Sequence, residues 1–323
     1  MIIIKFGVPQ GSVLGPVLFN IYIRSIYKFV TSMGFNIFGY ADDHQVMKQF
    51  KPRNQIETLL SDMKDCFKAI KRWVRTYFLS LNDSKTQIII FGSSSVLREI
   101  RIQGVYIGSD TTIRFVSTVK NLGIHMDANL TMGDHIVELK KKCFLTLRNL
   151  TKIRYLLTTA QLKTIVNSLV VSCLDYCNGM FFGISQQLMH QLQLIQNACA
   201  KAITGKYKYD HVDDELEKLH WLNVRKRVVF KICLLSYKAL NGIAPVYLQE
   251  MFQYAHHGHT LKLIVPPRST KGFGDRSFSV VGPRLFNTLP DNVKQSQSLE
   301  SFKSSLKTYL FTLADDDVTN LFY

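Results

Sequence analysis

The first 41 residues of the chain contain no acidic side chain, and the first carboxylate along the sequence is Asp42. The sequence also has no uninterrupted apolar run of the ~18 residues that a membrane-spanning helix needs, so no membrane association is predicted. Residues 1–6 are too few for the apolar core of a secretory signal. The lack of a membrane-spanning run and of a secretory signal predicts an intracellular protein, nuclear or cytoplasmic and not secreted.

Cysteine is present six times, but without the paired spacing of a zinc site. Cys173 and Cys177 are four residues apart, which on a helix places both on one face, and His256, His257 and His259 could complete a ligand set. Because a Cys-x-x-Cys pair is missing, buried free thiols and a polar histidine loop are the favoured interpretation.

Positive charge dominates the composition, with 40 Lys and Arg against 24 Asp and Glu and a net charge of +16. The excess is spread along the chain and not confined to a tail. A polyanion such as a nucleic acid is the expected partner. An anionic membrane surface is the competing interpretation, but no basic amphipathic anchor or lipidation motif supports it.

Two adjacent carboxylates, Asp42 and Asp43, follow the apolar residues 35–38 within the segment 39–47. This pattern predicts a strand, a tight turn and a second strand, with both acids at the tip. An Asp-Asp pair in a turn is most often a solvated hairpin. Its alternative function is to bind divalent cations, and the surrounding segments decide between the two.

Five segments, in this order along the chain, resemble the reverse transcriptases of non-LTR (LINE-type) retrotransposons. The first four are similar to motifs B, C, D and E of the polymerase palm, and the fifth is similar to a segment located after the polymerase domain in some of these elements. They are GVPQGSVLGPVLFNIYI (7–23), GYADDHQVM (39–47), LSLNDSKT (79–86), VKNLGI (119–124) and RSFSVVGPRLFNTLP (276–290).

The resemblance implies a role for each residue near the carboxylates. Asp42 is the expected ligand of Mg²⁺ and Asp43 its weaker neighbour. Tyr40 would lie beneath the primer terminus, and Gln10 and Gly11 beside the templating base pair. An RNA template and a DNA primer, forming an RNA/DNA hybrid, are the implied partners.

Further roles are implied by the later motifs. Lys85 is implied to approach the incoming triphosphate, although an exposed turn lysine is an equally good interpretation. Leu122 and Gly123 would steady the primer end. His44 departs from the smaller residue usual at that position, so it could crowd the carboxylates or titrate beside them.

A basic helical segment follows motif E, in the position of the polymerase thumb. Thumb helices lie along the duplex and contact its phosphates without reading sequence. Leu139, Phe144, Leu147 and Leu150 are expected to form the apolar side of this helix. A solvated basic helix is the alternative. The residues expected to contact the nucleic-acid backbone are Lys140, Lys141, Lys142, Arg148 and Lys152.

Catalysis by two metal ions requires carboxylates from separate strands, and Asp42 and Asp43 come from one turn. In the family the other essential Asp lies upstream of motif B, where this sequence has no acidic residue. The expectation is therefore a truncated RNA-directed DNA polymerase that is not catalytic alone and that a partner chain could complete by supplying the missing half of the palm. The alternative is a non-enzymatic nucleic-acid-binding or protein-interaction module derived from such an enzyme.

The predicted fold class is α+β. Residues 1–125 are expected to form a partial palm, an antiparallel sheet with helices. Apolar residues at helical spacing predict one helix from Pro16 to Val30 and a second helix over residues 54–78 with an inner apolar face, and a strand is expected over residues 86–91. Residues 126–205 are expected to form a helical thumb-like region. Residues 206–323 are expected to form a helical extension with irregular loops after residue 255 and a final helix near 298–312. The aspartates 315–317 are expected to belong to a disordered end.

Overall fold

The computed structural model describes residues 11–100, 104–106, 112–207, 209–255, 262–267 and 272–322. The chain divides into two compact units, Met1–Val119 and Lys120–Tyr323. Helices dominate, and the strands form small antiparallel hairpins, so the predicted α+β class is confirmed. The division into palm, thumb and extension stays a prediction.

The first unit begins with a long helix and a hairpin, as the sequence predicts. Its elements are α1 (Gly15–Ser32), β1 (Asn36–Tyr40), β2 (Asp43–Met47), α2 (Pro52–Thr76), a 3₁₀ turn (Asp83–Lys85), α3 (Ser94–Glu99), β3 (Gly104–Tyr106) and β4 (Thr112–Arg114).

The core of the first unit lies between α1 and α2, because both helices carry apolar residues at helical spacing. Ile23, Ile26 and Val30 of α1 pack against Trp73 and Val74 of α2. A second, smaller cluster joins α2 to the β3–β4 hairpin. The helix expected over residues 54–78 and its inner apolar face are confirmed.

The strands of the described residues form three separate two-stranded sheets and not one continuous palm sheet. The strand expected over residues 86–91 is wrong: within it only Ile88 forms a bridge, to Phe115. A backbone hydrogen bond from the Val116 amide to the Ile88 carbonyl, at 2.9 Å, joins these segments. The apolar, β-branched sequence favours an extended conformation, but a strand also needs a partner along its length.

The second unit is almost entirely helical after one hairpin. The hairpin strands are β5 (Thr118–Asn121), whose first two residues still belong to the first unit, and β6 (Ile124–Asp127). The helices are α4 (Gly133–Ile153), α5 (Thr159–Val166), α6 (Ser172–Asp175), α7 (Gln186–Thr204), α8 (Asp213–Lys218), α9 (Val224–Leu240), α10 (Val246–Gln249), α11 (Phe278–Thr288), α12 (Asp291–Lys294), α13 (Leu299–Thr312) and α14 (Asp315–Phe322).

One hydrophobic core runs through the second unit and includes both its early and its late helices. Leu192 and Ile195 of α7 are fully buried in it, as are Phe302, Leu306 and Leu310 of α13. The C-terminal segment therefore contributes to the same core as α4 and α9.

Two expectations for the end of the chain are wrong. The segment before residue 298, expected to be irregular, contains helix α11. Within this helix, Gly282 lies so close to Phe252 and Ser236 that a side chain at this position would collide with them. Residues 315–317, expected to be disordered, form the first turn of α14. Carboxylates are favourable at a helix N-terminus, and Asp315 also pairs with Lys226 at 3.1 Å.

A π-helical segment, Asn167–Val171, continues α5 into α6. Its wider turn places two consecutive residues, Val170 and Val171, in the core. Helix α6 ends at Asp175, and Cys177 has a left-handed backbone with φ of 52°. Cys173 and Cys177 therefore do not share a helix face, contrary to expectation.

The buried thiols that the sequence predicts are confirmed at four of the six positions: Cys66, Cys143, Cys199 and Cys233. The histidines at 256, 257 and 259 lie outside the described residues. Across the described part of the chain, every helix is too short or too polar to cross a membrane.

Candidate active-site segment and nucleic-acid interface

Asp42 and Asp43 lie at the tip of the β1–β2 hairpin, as predicted. The strands pair antiparallel with Tyr40 opposite Asp43 and Gly39 opposite His44. Ala41, in the two-residue loop, has a left-handed backbone with φ of 53°, which reverses the chain at this point. Both carboxylates are exposed, and Tyr40 beside them is 69% exposed.

The loop end of the hairpin packs against α1 through His44, which pairs with Gly39 directly below the loop. The His44 ring lies 6.0 Å from the ring of Tyr27, and its Nδ1 lies 3.1 Å from the Asp42 carbonyl oxygen. A carbonyl only accepts, so Nδ1 carries the proton in this arrangement. Nε2 is buried and has no hydrogen-bond partner among the described atoms. His44 thus packs under the loop that carries Asp42.

Gly39 makes this packing possible. A methyl group at Gly39 would lie 1.9 Å from the Tyr27 hydroxyl oxygen and 3.0 Å from the His44 ring. A side chain at position 39 would therefore have to displace the Tyr27 ring or the His44 ring at the loop end of the hairpin. Tyr27 is a contributor that the sequence pattern did not single out, since its spacing on α1 is that of an ordinary core residue.

The donor set at the hairpin tip is incomplete for the Mg²⁺ ions that the resemblance implies. Mg²⁺ takes octahedral oxygen coordination, and a two-metal site needs carboxylates from more than one strand. Among the described residues, no group of three or more His, Cys, Asp or Glu side chains could hold a metal ion. Asp42 and Asp43 alone therefore do not fit a two-metal centre, although they fit part of one.

The other residues predicted from motifs B and D lie on separate loops. Gly11, before α1, is exposed, has φ of 90°, and has no neighbour within 4 Å of the position a Cβ would take. Gln10 lies outside the described residues. Lys85 is exposed at the end of a 3₁₀ turn in which the Asn82 side chain accepts hydrogen bonds from the amides of Ser84 and Lys85.

Leu122 and Gly123 form the two-residue turn of the β5–β6 hairpin. Both have positive φ, 45° and 86°, as a tight hairpin turn of this length requires. The Tyr176 hydroxyl donates a hydrogen bond of 2.7 Å to the Leu122 carbonyl. This contact positions the turn, and nothing in the sequence pattern pointed to Tyr176.

The predicted basic residues of α4 do not share one face. At about 100° per residue, Lys141, Arg148 and Lys152 form one exposed stripe, which we call the α4 stripe, opposite the buried side of the helix. Lys140 and Lys142 lie about 100° to either side of it. Phe144, expected on the apolar side, is 36% exposed.

The α4 stripe keeps its charge available to a ligand. Lys141 pairs with Glu138 at 2.6 Å, but both side chains are more than half exposed. Such surface pairs contribute little and exchange readily with other partners. The neighbouring Leu145 is 61% exposed on the same side of the helix.

Residues 2–126 match the family "Reverse transcriptase (RNA-dependent DNA polymerase)". This segment contains the hairpin with Asp42 and Asp43. The predicted resemblance to the reverse transcriptases of non-LTR retrotransposons is confirmed. No solved structure matches the chain.

The chain is similar to several insect mobile-element proteins. It is 25% identical over 216 residues to "Probable RNA-directed DNA polymerase from transposon BS" of Drosophila melanogaster, covering 62% of this chain and 22% of that protein. It is 25% identical over 219 residues to "RNA-directed DNA polymerase from mobile element jockey" of the same fly, covering 65% and 23%.

A third relative is "Retrovirus-related Pol polyprotein from type-1 retrotransposable element R1" of Nasonia vitripennis, 27% identical over 132 residues, with 40% of this chain and 38% of that protein covered. The chain thus spans between about a fifth and two fifths of the length of these relatives.

Proposed function

We propose that this chain is the part of a non-LTR retrotransposon RNA-directed DNA polymerase that carries the Asp42–Asp43 hairpin, and that it does not polymerise by itself. The observation that carries the proposal is a hairpin with two exposed carboxylates at its tip, Asp42 in the two-residue loop and Asp43 at the start of β2, inside the segment that matches the reverse transcriptase family. A further carboxylate from another palm segment completes the metal site.

The proposed cofactor is Mg²⁺, with Asp42 as a ligand and Asp43 as its neighbour. When bound, the metal ions would activate the primer hydroxyl and stabilise the leaving phosphate. Tyr40 and Gly11 are proposed to lie at the primer terminus and the templating pair, Leu122 and Gly123 at the primer end, and Lys85 near the triphosphate. An RNA template with a DNA primer is the proposed substrate.

The surface of α1 supports the need for a further palm segment. Leu14, Val17, Leu18 and Ile21 recur at helical spacing and are exposed by 64%, 56%, 47% and 66%. Contiguous exposed apolar residues of this kind mark an interaction surface. We propose that the remaining palm, from the same polyprotein or a second chain, covers this side of α1.

A primer-extension assay tests the proposal. The chain is incubated with an RNA template, a DNA primer, deoxynucleotides and Mg²⁺ or Mn²⁺, alone and together with the polymerase segment that precedes the matching region in the jockey relative. We expect extension only from the combination. Asp42→Asn in the chain should abolish that extension, whereas Asp62→Asn, on α2 and paired with Lys48, should not. Extension by the chain alone that is lost in Asp42→Asn would contradict the proposal.

The α4 stripe is proposed to contact the phosphate backbone without reading sequence. Neutralising Lys141, Arg148 and Lys152 removes up to three phosphate contacts, so the negative slope of log affinity against log salt for duplex DNA should become less steep by up to about 2.7. A matched triple neutralisation at Lys206, Lys218 and Lys303 lowers net charge equally without touching the stripe. If both triple variants change the slope alike, only total charge matters and the stripe is not the interface.

A non-enzymatic nucleic-acid-binding module is the second candidate. Two observations favour it. The second unit has its own hydrophobic core and carries the α4 stripe. Among the described residues, no group of three or more side chains could hold a metal ion. Salt-dependent binding without extension in the combined assay would favour this candidate.

A further inference from the structure

Three tyrosines of the second unit are almost fully exposed. Tyr155 is 83% exposed in the 3₁₀ turn Arg154–Leu156, which follows α4. Tyr207 and Tyr209 are 82% and 87% exposed in the loop after α7. Among the described residues, no other tyrosine is as exposed. A single exposed aromatic residue is ordinary, whereas a group of them marks an interaction surface.

A contact of Arg154 brings these two segments together. Its guanidinium lies against Gly205, the residue that caps the end of α7, so closely that a Cβ on Gly205 would overlap it. Tyr155 is the next residue after Arg154, and Tyr207 follows Gly205 by two residues, which an extended chain spans in about 7 Å. The turn that carries Tyr155 therefore lies beside the loop that carries Tyr207 and Tyr209.

The cations of these two segments are available to a polyanion. Lys152 and Lys206 are exposed, and Arg154 is partly exposed. No acidic side chain of the described residues forms an ion pair with any of the three. Asp210, the acidic residue of the loop, accepts a hydrogen bond of 2.7 Å from the Tyr207 amide and so stabilises the loop itself. We call the three tyrosines and these three cations the tyrosine platform.

Exposed aromatic rings among unpaired cations have the chemistry of a site for single-stranded nucleic acid. Every base has a flat face that stacks on an aromatic ring, and the phosphates bind the cations at the same time. We propose that the tyrosine platform binds single-stranded nucleic acid, with bases stacked on the tyrosines and phosphates at the cations. A duplex does not occupy the platform, because its bases are stacked on one another and have no free face.

The tyrosine platform continues from the α4 stripe. Lys152 belongs to both surfaces, and the stripe is proposed above to contact a duplex. A strand that leaves a duplex at the C-terminal end of α4 therefore reaches the platform next. In an RNA-directed polymerase the template extends beyond the paired primer, so we assign this strand to the RNA template. The assignment rests on the proposed function, whereas the binding of a single strand does not.

Fluorescence anisotropy of the full chain with a labelled uridine RNA of about twelve nucleotides tests the site. The triple variant Tyr155→Ala/Tyr207→Ala/Tyr209→Ala keeps the net charge and should weaken binding about tenfold or more, because it removes the stacking on each ring. The corresponding triple phenylalanine variant keeps the rings and should stay within about threefold of the natural chain.

A matched control removes two exposed tyrosines elsewhere. Tyr106→Ala/Tyr247→Ala should change the affinity for the uridine RNA by less than about twofold, since neither residue belongs to the tyrosine platform. Both residues are more than 60% exposed. Circular dichroism confirms that each variant is folded.

An abasic strand of the same length separates stacking from charge. It has the same phosphates but no bases, so it should bind the natural chain more weakly than the uridine RNA does. The triple alanine variant should leave the affinity for the abasic strand within about twofold, so that the loss of the rings and the loss of the bases are not additive. A blunt duplex should bind the natural chain and the triple alanine variant equally. A loss of equal size for the uridine and the abasic strand would contradict stacking.

Hybrids of a DNA primer with an RNA template test the assignment of the strand. An unpaired RNA extension should strengthen binding of the hybrid, and the triple alanine variant should lose that gain. A gain from an unpaired DNA extension of the primer alone would overturn the assignment to the template. These measurements need no polymerisation, so their failure and the failure of primer extension are distinguishable.

Three results would overturn the platform itself. They are absence of uridine RNA binding at about 100 µM, an unchanged affinity in the triple alanine variant, and tighter binding of polyglutamate than of the uridine RNA. The last result would identify an acidic protein as the partner, because polyglutamate has the negative charge of a nucleic acid without its bases.

Discussion

His135 is a buried histidine of α4, and its surroundings favour the neutral form of the ring. Its Nδ1 accepts a hydrogen bond of 3.4 Å from the His125 backbone amide, and its ring stacks on Phe181 at 5.9 Å. Burial lowers the pKa of His135 from its usual value, and the nearby His125 lowers it further. A proton on Nδ1 would remove the acceptor and bury a charge beside a second histidine.

The second unit should lose stability as the pH falls. The unfolded chain binds a proton on His135 near its ordinary pKa of about 6.5, while the folded chain binds it only at a lower pH, so acid favours unfolding over that window. We expect a lower urea midpoint at a pH of about 5.5 than at about 7.5. His135→Gln, which can still accept but does not titrate, should reduce that difference, and the exposed His190→Gln should not. An equal pH dependence in both variants would exclude His135 as a cause.

At the scale of single residues, the sequence predicted exposed carboxylates at 42 and 43 and buried thiols at four cysteines. Burial raises the pKa of the Cys143 and Cys233 thiols to about 12, so these groups stay protonated and inert. The sequence did not predict Tyr27, Tyr176 or His135 as contributors. Each acts through a contact to a residue at least ten positions away, and local patterns do not encode such pairs.

The β1–β2 hairpin depends on the contact between Gly39 and Tyr27. Gly39→Ala should destabilise the first unit by about 1–3 kcal/mol, because the added methyl group overlaps the Tyr27 hydroxyl. Hydrogen exchange of the hairpin amides measures the effect.

A double-mutant cycle checks the cause of that loss. Tyr27→Phe removes the hydroxyl oxygen that the methyl group would meet, so Gly39→Ala should cost less in the Tyr27→Phe background than in the natural chain. Equal costs in the two backgrounds would mean that the hairpin adjusts around the methyl group or that the His44 ring is the main obstacle.

At the scale of elements, strong local patterns predicted α1, α2 and the hairpin, and long-range packing decided the rest. Residues 86–91 have strand-forming side chains but only one bridge, at Ile88. Helix α11 contains Gly282 and Pro283, two residues that disfavour a helix when only local sequence is considered. Glycine suits position 282 because α9 and Phe252 approach it too closely for a side chain. Asp315 is ordered by Lys226, almost ninety residues earlier in the chain.

Arg276 connects distant parts of the second unit. Its guanidinium donates hydrogen bonds to the carbonyls of Phe182 at 2.9 Å, Leu130 at 2.9 Å and Met180 at 3.4 Å. Its aliphatic stem lies against Gly183, where an added Cβ would be only 2.8 Å away. Burial lowers the pKa of Arg276, while Asp127 opposes that shift. One side chain of the late segment thus binds the loop before α4 and the turn before α7.

Arg276→Ala should lower the free energy of unfolding of the second unit by about 2–4 kcal/mol, since three carbonyls lose a charged donor. Arg276→Lys keeps the charge but cannot reach all three carbonyls with one nitrogen, so an intermediate loss is expected. Arg148→Ala, at an exposed position of α4, is the matched control and should change stability by less than about 0.5 kcal/mol. Urea denaturation followed by circular dichroism measures all three. A loss no larger in Arg276→Ala than in the control would show that these bonds are replaced by water.

At the scale of the whole molecule, the sequence predicted the α+β class and the reverse transcriptase segment, because the motifs are local strings in a fixed order. The shared core of the early and late helices in the second unit was beyond prediction. Amphipathic spacing tells which face of a helix is buried but not which helix covers it.

The π-helical segment at residues 167–171 permits one change of chain length and opposes the other. Ser168 and Leu169 are exposed there, so substitutions at these positions should be accepted. A π-turn contains one residue more than an α-turn, so loss of one residue would restore an ordinary α-helix and leave α6 facing the same side. Gain of one residue in the helix would instead rotate α6 by about 100° and turn Asp175 away from Arg227. Among related elements, this stretch should therefore vary in sequence and occur one residue shorter, but not one residue longer.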